Sequence, residues 1–165
     1  MPLPFLYALK KTPRYRKQLN TIAHDPSSSA KTVLDINLDA LKQRNIKVIA
    51  LDYDGVLAHH NASHLSAPVI SWLQQCCDTF GEDHVYIHSN NNKSNRLQYF
   101  AEHFPKIRIL KPTHKKPFPE GLASITADTG IAPEHIVLVD DRLTTGILAT
   151  CLAGTAAIHI NQPYI

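Results

Sequence analysis

The chain has 165 residues, 44% of them hydrophobic and 19% charged, which suits one folded domain with a real core and excludes a disordered chain. Its net charge of +3 gives no case for nucleic-acid binding, and no apolar run approaches the roughly 18 residues of a membrane span. Cys76, Cys77 and Cys151 lack any C-x-x-C spacing for zinc, form no disulfide framework and suit a reducing compartment, so they read as core or near-core thiols.

Residues 1–30 differ from the rest. "MPLPFLYAL" is apolar, and Lys10, Lys11, Arg14, Arg16 and Lys17 follow with no acid before Asp25. A secretory signal puts its charges first, so this order argues against one. Two readings stand: a basic segment lying on an anionic membrane surface, or a terminus packed against the domain. An organellar transit segment shares the same acid-poor composition. "HDPSSSA" (24–30) then reads as a flexible junction, so residues 31–165 are expected to form the domain proper.

From there strands and helices alternate. Asn37 caps a short helix through "LDALKQR", and "IKVIALDY" (46–53) is a β-branched strand. A helix from Ser66 carries Val69, Ile70 and Leu73; "HVYIHS" (84–89) is a strand, and the next helix carries Leu97, Phe100, Ala101 and Phe104. "IRIL" (107–110) is strand-like, a helix ends at Gly130, "IVLVD" (136–140) is a buried strand, and "TTGILATCLAG" and "TAAIHI" give a last helix and strand. Five strands interleaved with helices predict an α/β three-layer, Rossmann-like fold around a mainly parallel sheet.

Ligands of such sheets sit beyond the carboxyl ends of the strands. Those ends carry Asp52–Gly55, Ser89–Asn92, "KPTHKKP" and Asp140–Arg142. Asp52 and Asp54 are like charges one residue apart, which need a cation, a proton or solvent to coexist. Together the four loops suit phosphoryl transfer: Asp52 is a competent phosphoryl acceptor, and Asp54 is spaced to act as general acid and then base. Asp52 and Asp141 supply oxygens for magnesium, while Ser89, backbone N–H groups around Asn90, and Lys116 receive the phosphate. Lys115 and Lys111 compete with Lys116 for that role. His59, His60 and His64 match no familiar zinc spacing and instead stand near the site mouth.

"DYDGVL", "IHSNNN", "KKP" and "VDDRLTTG" resemble, in order, the four motifs of the haloacid dehalogenase (HAD) superfamily. More narrowly, "VLDINLDALKQRNIKVIALDYDGVL", "SNNNKSNRLQYFAE" and "HKKPF" resemble the YqeG-type HAD phosphatases, relatives of the mitochondrial phosphatidylglycerophosphatases. The resemblance implies Asp52 as nucleophile, Asp54 as acid/base, Ser89, Asn90 and Lys116 as phosphate binders, and Asp141 as a magnesium ligand. The metal would also take the backbone carbonyl of Asp54. The short spacers imply no large cap domain. The implied function is a magnesium-dependent phosphomonoesterase acting on phosphatidylglycerophosphate through an aspartyl-phosphate, in the cytoplasm or at a membrane surface, mitochondrial in a eukaryote. Alternatives are a phosphatase of a soluble metabolite, or an impaired HAD-like binding protein.

One departure stands out. The resembled fourth motif reads Gly-Asp with a further acid later, whereas here Asp140 stands in the Gly position and Gly146 in that of the later acid. Side chains alternate along a strand, so Asp140 is expected to point away from the face that Asp141 uses.

Overall fold

A computed structural model describes residues 3–164 of the chain. Helix α1 (Pro4–His24) is followed by strand β1 (Ser29–Ala30) and helix α2 (Leu38–Gln43), whose first turn is capped by the Asn37 side chain accepting from the Ala40 N–H. Strand β2 (Val48–Leu51), helix α3 (Ala67–Phe80), strand β3 (Val85–Ile87), helix α4 (Ser94–His103) and strand β4 (Arg108–Ile109) form the next run. Helix α5 (Glu120–Thr129), strand β5 (Ile136–Asp140), a π-helical turn (Leu143–Ile147), helix α6 (Leu148–Ala153) and strand β6 (Ala156–Ile160) complete it.

Among the described residues six strands lie in the order β1-β6-β5-β2-β3-β4, and every pairing between them is parallel. The α/β architecture is as the sequence predicts, with six strands in place of five. The extra one, Ser29–Ala30, pairs with His159 and Ile160 where the sequence reads as a flexible junction. Two polar or small residues carry no hydrophobic pattern, so only the edge of β6 reveals the strand.

All residues of β2 and β5 are buried, as expected of strands covered by helices on both faces. One face packs Ile49, Leu51, Val85 and Ile87 against α2, α3 and α4, with Val69, Trp72, Leu73, Cys76 and Phe100 in that layer. The other face packs Val48, Ala50, Tyr86 and Leu138 against Leu122 and Ile125 of α5 and Ala149 of α6. Helix α1 adds Leu19, Tyr15 and Ile22 over Ile147, Leu148 and Ala157. Among the described residues no helix is long and apolar enough to cross a membrane.

The chain builds β2, β3 and β4 toward one edge and then returns to lay β5 and β6 on the other side of β2. The reversal lies at β2, so the crevice beyond its carboxyl end, where Asp52 follows Leu51, is where such sheets bind ligands.

Candidate active site

Asp52 leaves β2 with its backbone N–H donating to the Val139 carbonyl at 2.9 Å, which extends the ladder with β5 by one residue. The chain then turns tightly: the Gly55 N–H donates to the Ala58 carbonyl, and the Leu57 and Ala58 N–H groups both donate to the Tyr53 carbonyl. Gly55 has φ +83°, and a β-carbon there would lie 2.5 Å from Asp141 Oδ2. Glycine is therefore required twice, for a left-handed backbone and for the approach of a carboxylate from the neighbouring strand.

Asp52 is 8% exposed, and its Oδ1 accepts the Tyr53 N–H at 2.8 Å and faces the Lys116 ammonium at 3.2 Å. Lys116, only 2% exposed, also meets Asp140 Oδ2 at 2.5 Å. Lys111 and Lys115 are exposed, so of the three lysines it is Lys116 that joins Asp52. Its main chain is clamped from the loop after β3: Asn90 Oδ1 accepts the Lys116 N–H at 2.8 Å, and Asn90 Nδ2 donates to the Lys116 carbonyl at 3.2 Å. With the Asn90 side chain so engaged, any phosphate contact there falls to the backbone. Ser89 is buried at the same strand end, and its hydroxyl accepts the Asn91 N–H at 3.1 Å. A cleft of about 220 Å³ opens over these groups, lined also by Asp54, His60, Arg142 and Thr145.

One ammonium thus serves two carboxylates. The Asp52 carboxyl is raised to about 7 overall, chiefly by burial, with the Lys116 charge opposing the rise and the Asp140 charge adding to it. The same two acids hold the Lys116 ammonium above its ordinary range, although burial alone would lower it.

Asp140 corrects the alternation argument. It does not point away: Asp52, Asp140 and Asp141 each present a carboxylate oxygen, all within 4.8 Å of one another. Strand β5 ends at Asp140 and the chain bends at once into the π-helical turn, so the pleat no longer governs Asp141. Asp140 is satisfied on both oxygens, by Lys116 and by the Arg142 N–H at 2.9 Å. Asp141 is not: its Oδ1 is buried without a hydrogen-bond partner, and burial followed by the Asp140 charge raises its carboxyl above the usual range. An orphaned carboxylate oxygen beside Asp52 fits a hard cation such as magnesium, held by Asp52 and Asp141.

Sequence reasoning missed Arg96. It lies on α4, is 3% exposed, and donates to Asp54 through Nη2 at 2.7 Å and Nη1 at 3.0 Å. Its Nε donates to the Ala62 carbonyl, its Nη1 also to the Asn91 carbonyl, and its guanidinium stacks 3.8 Å from the centre of the Tyr53 ring. The available signal is that Arg96 stands one helical turn before Phe100, a charge on the apolar face. Burial would raise the Asp54 carboxyl, but the Arg96 hydrogen bonds and charge, with the Asn61 N–H, hold it below its ordinary value. Replacing Arg96 with Met is expected to destabilise the fold by about 2–3 kcal/mol, less than a fully buried pair because Asp54 still meets solvent. Urea unfolding reads this; an unchanged midpoint would mean that the pair holds nothing.

His88, beside Ser89, is fully buried with both ring nitrogens unpartnered, and burial followed by the Lys116 charge lowers it to about 3. Gly121 leaves its ring room, since a β-carbon there would lie 2.5 Å from His88 Cε1. His88 is thus a neutral packing residue behind the loop that follows β3.

Four strand ends thus converge on one acid-and-lysine cleft. The family model described as mitochondrial PGP phosphatase matches residues 18–164. The chain belongs to this family. It is 27% identical over 126 residues to a probable phosphatase, YqeG, of Bacillus subtilis, a match covering 74% of this chain and 69% of that protein. Among solved structures it resembles a haloacid dehalogenase-like hydrolase from Streptococcus pneumoniae, with TM-score 0.55 and 13% identity over 73% of this chain and 87% of the other. It also resembles a HAD family enzyme from Bacteroides thetaiotaomicron in complex with magnesium and inorganic phosphate, with TM-score 0.51 and 14% identity over 70% and 93%. This member of the PGP phosphatase family is therefore a phosphatase, and its parallel three-layer core has the fold of those haloacid dehalogenase-like structures.

Proposed function

We propose that the chain hydrolyses a phosphomonoester through an aspartyl-phosphate on Asp52, with magnesium, and that its substrate is phosphatidylglycerophosphate at a membrane surface. The observation that carries the chemistry is the trio at the cleft floor: buried Asp52, Lys116 3.2 Å away, and Asp141 with its unpartnered oxygen. Asp52 Oδ attacks phosphorus and the bond to the leaving oxygen breaks; Asp54 gives that oxygen a proton, and later takes one from the water that cleaves the acyl phosphate. Ser89 and Lys116 hold the non-bridging oxygens. Asp52, Asp141 and the Asp54 carbonyl would hold the magnesium ion, whose charge offsets the repulsion between phosphate and carboxylates.

Asp54 paired with Arg96 is ionised, which suits the base that activates water. The acid role requires it to leave Arg96 and gain a proton, so the Arg96 pair sets which half-reaction Asp54 is ready for.

The lipid substrate rests on the family and on α1. Leu3, Phe5, Leu6 and Leu9 are 63%, 71%, 57% and 57% exposed, beside the cations at 10, 11, 14, 16 and 17. The inner face of the same helix reaches the catalytic loop: Tyr7 stacks on Phe118 with ring centres 4.1 Å apart, two residues beyond Lys116. A helix with apolar and basic groups suits an anionic bilayer, and the open cleft admits a headgroup while the acyl chains stay in the membrane.

The test is phosphate release from phosphatidylglycerophosphate in mixed micelles, with and without magnesium, beside a soluble phosphomonoester. Magnesium-dependent turnover that favours the lipid at least about 10-fold, with loss of anionic-vesicle binding in Phe5→Ser/Leu9→Ser, is expected. Equal turnover of both substrates with no vesicle binding would assign the enzyme to soluble metabolites.

A further inference from the structure

The cations at the cleft floor are already engaged. Lys116 meets Asp52 and Asp140, and the Arg96 guanidinium holds Asp54 and the Ala62 and Asn91 carbonyls. Four carboxylates there face these two buried cations, and the divalent ion that the site fits balances the rest. Nothing at the floor is left to neutralise a second anion on a substrate. The mouth is different. Arg142 is exposed and lines the cleft, and its guanidinium has no hydrogen-bond partner among the described residues. Its main chain is fixed: the Arg142 N–H donates to Asp140 at 2.9 Å, and its carbonyl accepts the Thr145 and Ile147 N–H groups at 3.3 and 3.1 Å. The stem is therefore anchored while the fork is free to meet a ligand. His60 comes from a different segment, the loop after β2. That loop is tied down at Asn61, whose N–H donates to Asp54 and whose side-chain carbonyl accepts from Lys93, and at the Ala62 carbonyl on Arg96. Thr145, half-buried, lines the same cleft. Burial and then the Asp140 charge raise the Asp141 carboxyl, while the Arg142 and His60 charges both oppose the rise, so the two side chains act on one corner of the cleft.

We propose that Arg142, His60 and Thr145 form a second anion subsite at the cleft mouth, which holds a phosphate group that the substrate carries one short polyol away from the scissile phosphomonoester. The subsite rests on the phosphatase reading above and narrows it to substrates with two phosphates. A planar guanidinium presents two parallel N–H groups to two phosphate oxygens, and the His60 ring and the Thr145 hydroxyl each add a donor. The second phosphate does not react, so these contacts are equal in the ground and transition states. They lower KM and leave kcat alone. The phosphodiester of a phospholipid headgroup and the second phosphate of a soluble bisphosphate share this chemistry.

The test compares propyl phosphate, 1,3-propanediol bisphosphate and glycerophosphoglycerophosphate, the last carrying a phosphodiester without acyl chains. The parent protein, Arg142→Gln, Arg142→Lys and His60→Asn are assayed for kcat and KM with magnesium, and their melting midpoints are recorded. The parent is expected to show a KM at least about 10-fold lower for a probe with a second phosphate than for propyl phosphate, the size of one charge-assisted contact. That preference should shrink as salt is added. Arg142→Gln should raise KM for the two-phosphate probes by about 10-fold, leave propyl phosphate within about 2-fold, and melt with the parent. Arg142→Lys should recover part of the loss, since it keeps the charge without the fork, and His60→Asn should lose less than Arg142→Gln. A larger effect on the phosphodiester assigns the subsite to a lipid headgroup, and a larger effect on the bisphosphate to a soluble substrate. A parent with equal KM for all three probes, or an Arg142→Gln variant that shifts all three alike, would overturn the proposal. If the parent turns over none of them and does not hydrolyse phosphatidylglycerophosphate, the phosphatase reading fails. Calorimetric binding of the same three probes then decides the subsite: tighter binding of the two-phosphate probes that Arg142→Gln abolishes supports it, and equal binding rejects it.

Discussion

Asp52→Asn is expected to abolish phosphate release, by about 10⁴-fold or more, because no other carboxylate in the cleft combines burial with a place at the end of β2. The same change should leave stability equal or higher at pH 7 and above. Burial raises the Asp52 carboxyl from 3.8 in the unfolded chain to about 7 in the fold. Between those values the folded protein keeps a proton that the unfolded chain has released. The Asp52 contribution to stability is therefore full below about 4, falls as pH rises, and levels off above about 7. Asparagine does not titrate, so the variant should gain on the parent across that window. Melting curves from pH 4 to 8 without metal, with residual phosphatase activity, check both parts. A variant that turns over like the parent, or that loses stability relative to it as pH rises, would contradict the role given to Asp52.

Lys116→Met is expected to have the largest combined effect. It leaves Asp52 and Asp140 buried near each other with no cation between them, and breaking such a pair from one side costs about 3–5 kcal/mol. Without the Lys116 charge that lowers it, the Asp52 carboxyl should hold its proton to higher pH, so stability falls most steeply above neutrality and residual turnover moves to the alkaline side. A loss of about 10²–10³ in kcat is expected, the size seen when a group stabilising developing charge is removed. Urea unfolding at pH 6 and 8 and a pH–rate profile measure this. Lys115→Met, at an exposed position one residue earlier, is the control and should behave as the parent does. Equal behaviour of the two variants would mean that Lys116 has no special place.

Much of this site is written in the sequence, because strands of a parallel sheet announce themselves. Val48–Leu51 and Ile136–Asp140 are continuous apolar runs that stop at acids, and the strand-end rule then collects Asp52, Ser89, Lys116 and Asp141 without knowledge of their contacts. What escapes is what depends on partners distant in sequence. Arg96 looks like any helix-surface cation until Asp54, Tyr53 and Ala62 close around it. Asp140 is misjudged because the alternation rule holds only while the strand lasts, and β5 ends at that residue. Ser29–Ala30 becomes a strand only through the exposed edge of β6. Gly146 reads as a missing acid in one dimension and as room for a carboxylate in three. Helix α1 has the inward spacing of Tyr15, Leu19 and Ile22, but its exposed Phe5 and Leu6 blur the stripe.

The central claim is that Asp52 carries the phosphoryl group, and the most direct measurement is to trap it. The enzyme is acid-quenched during turnover of p-nitrophenyl phosphate with magnesium, then treated with borohydride, which reduces an aspartyl phosphate to homoserine, and the peptides are read by mass spectrometry. Homoserine at position 52, present only when substrate was turning over, is the predicted result. Turnover with Asp52 unmodified, or with the modification at Asp54, Asp140 or Asp141 instead, would contradict it.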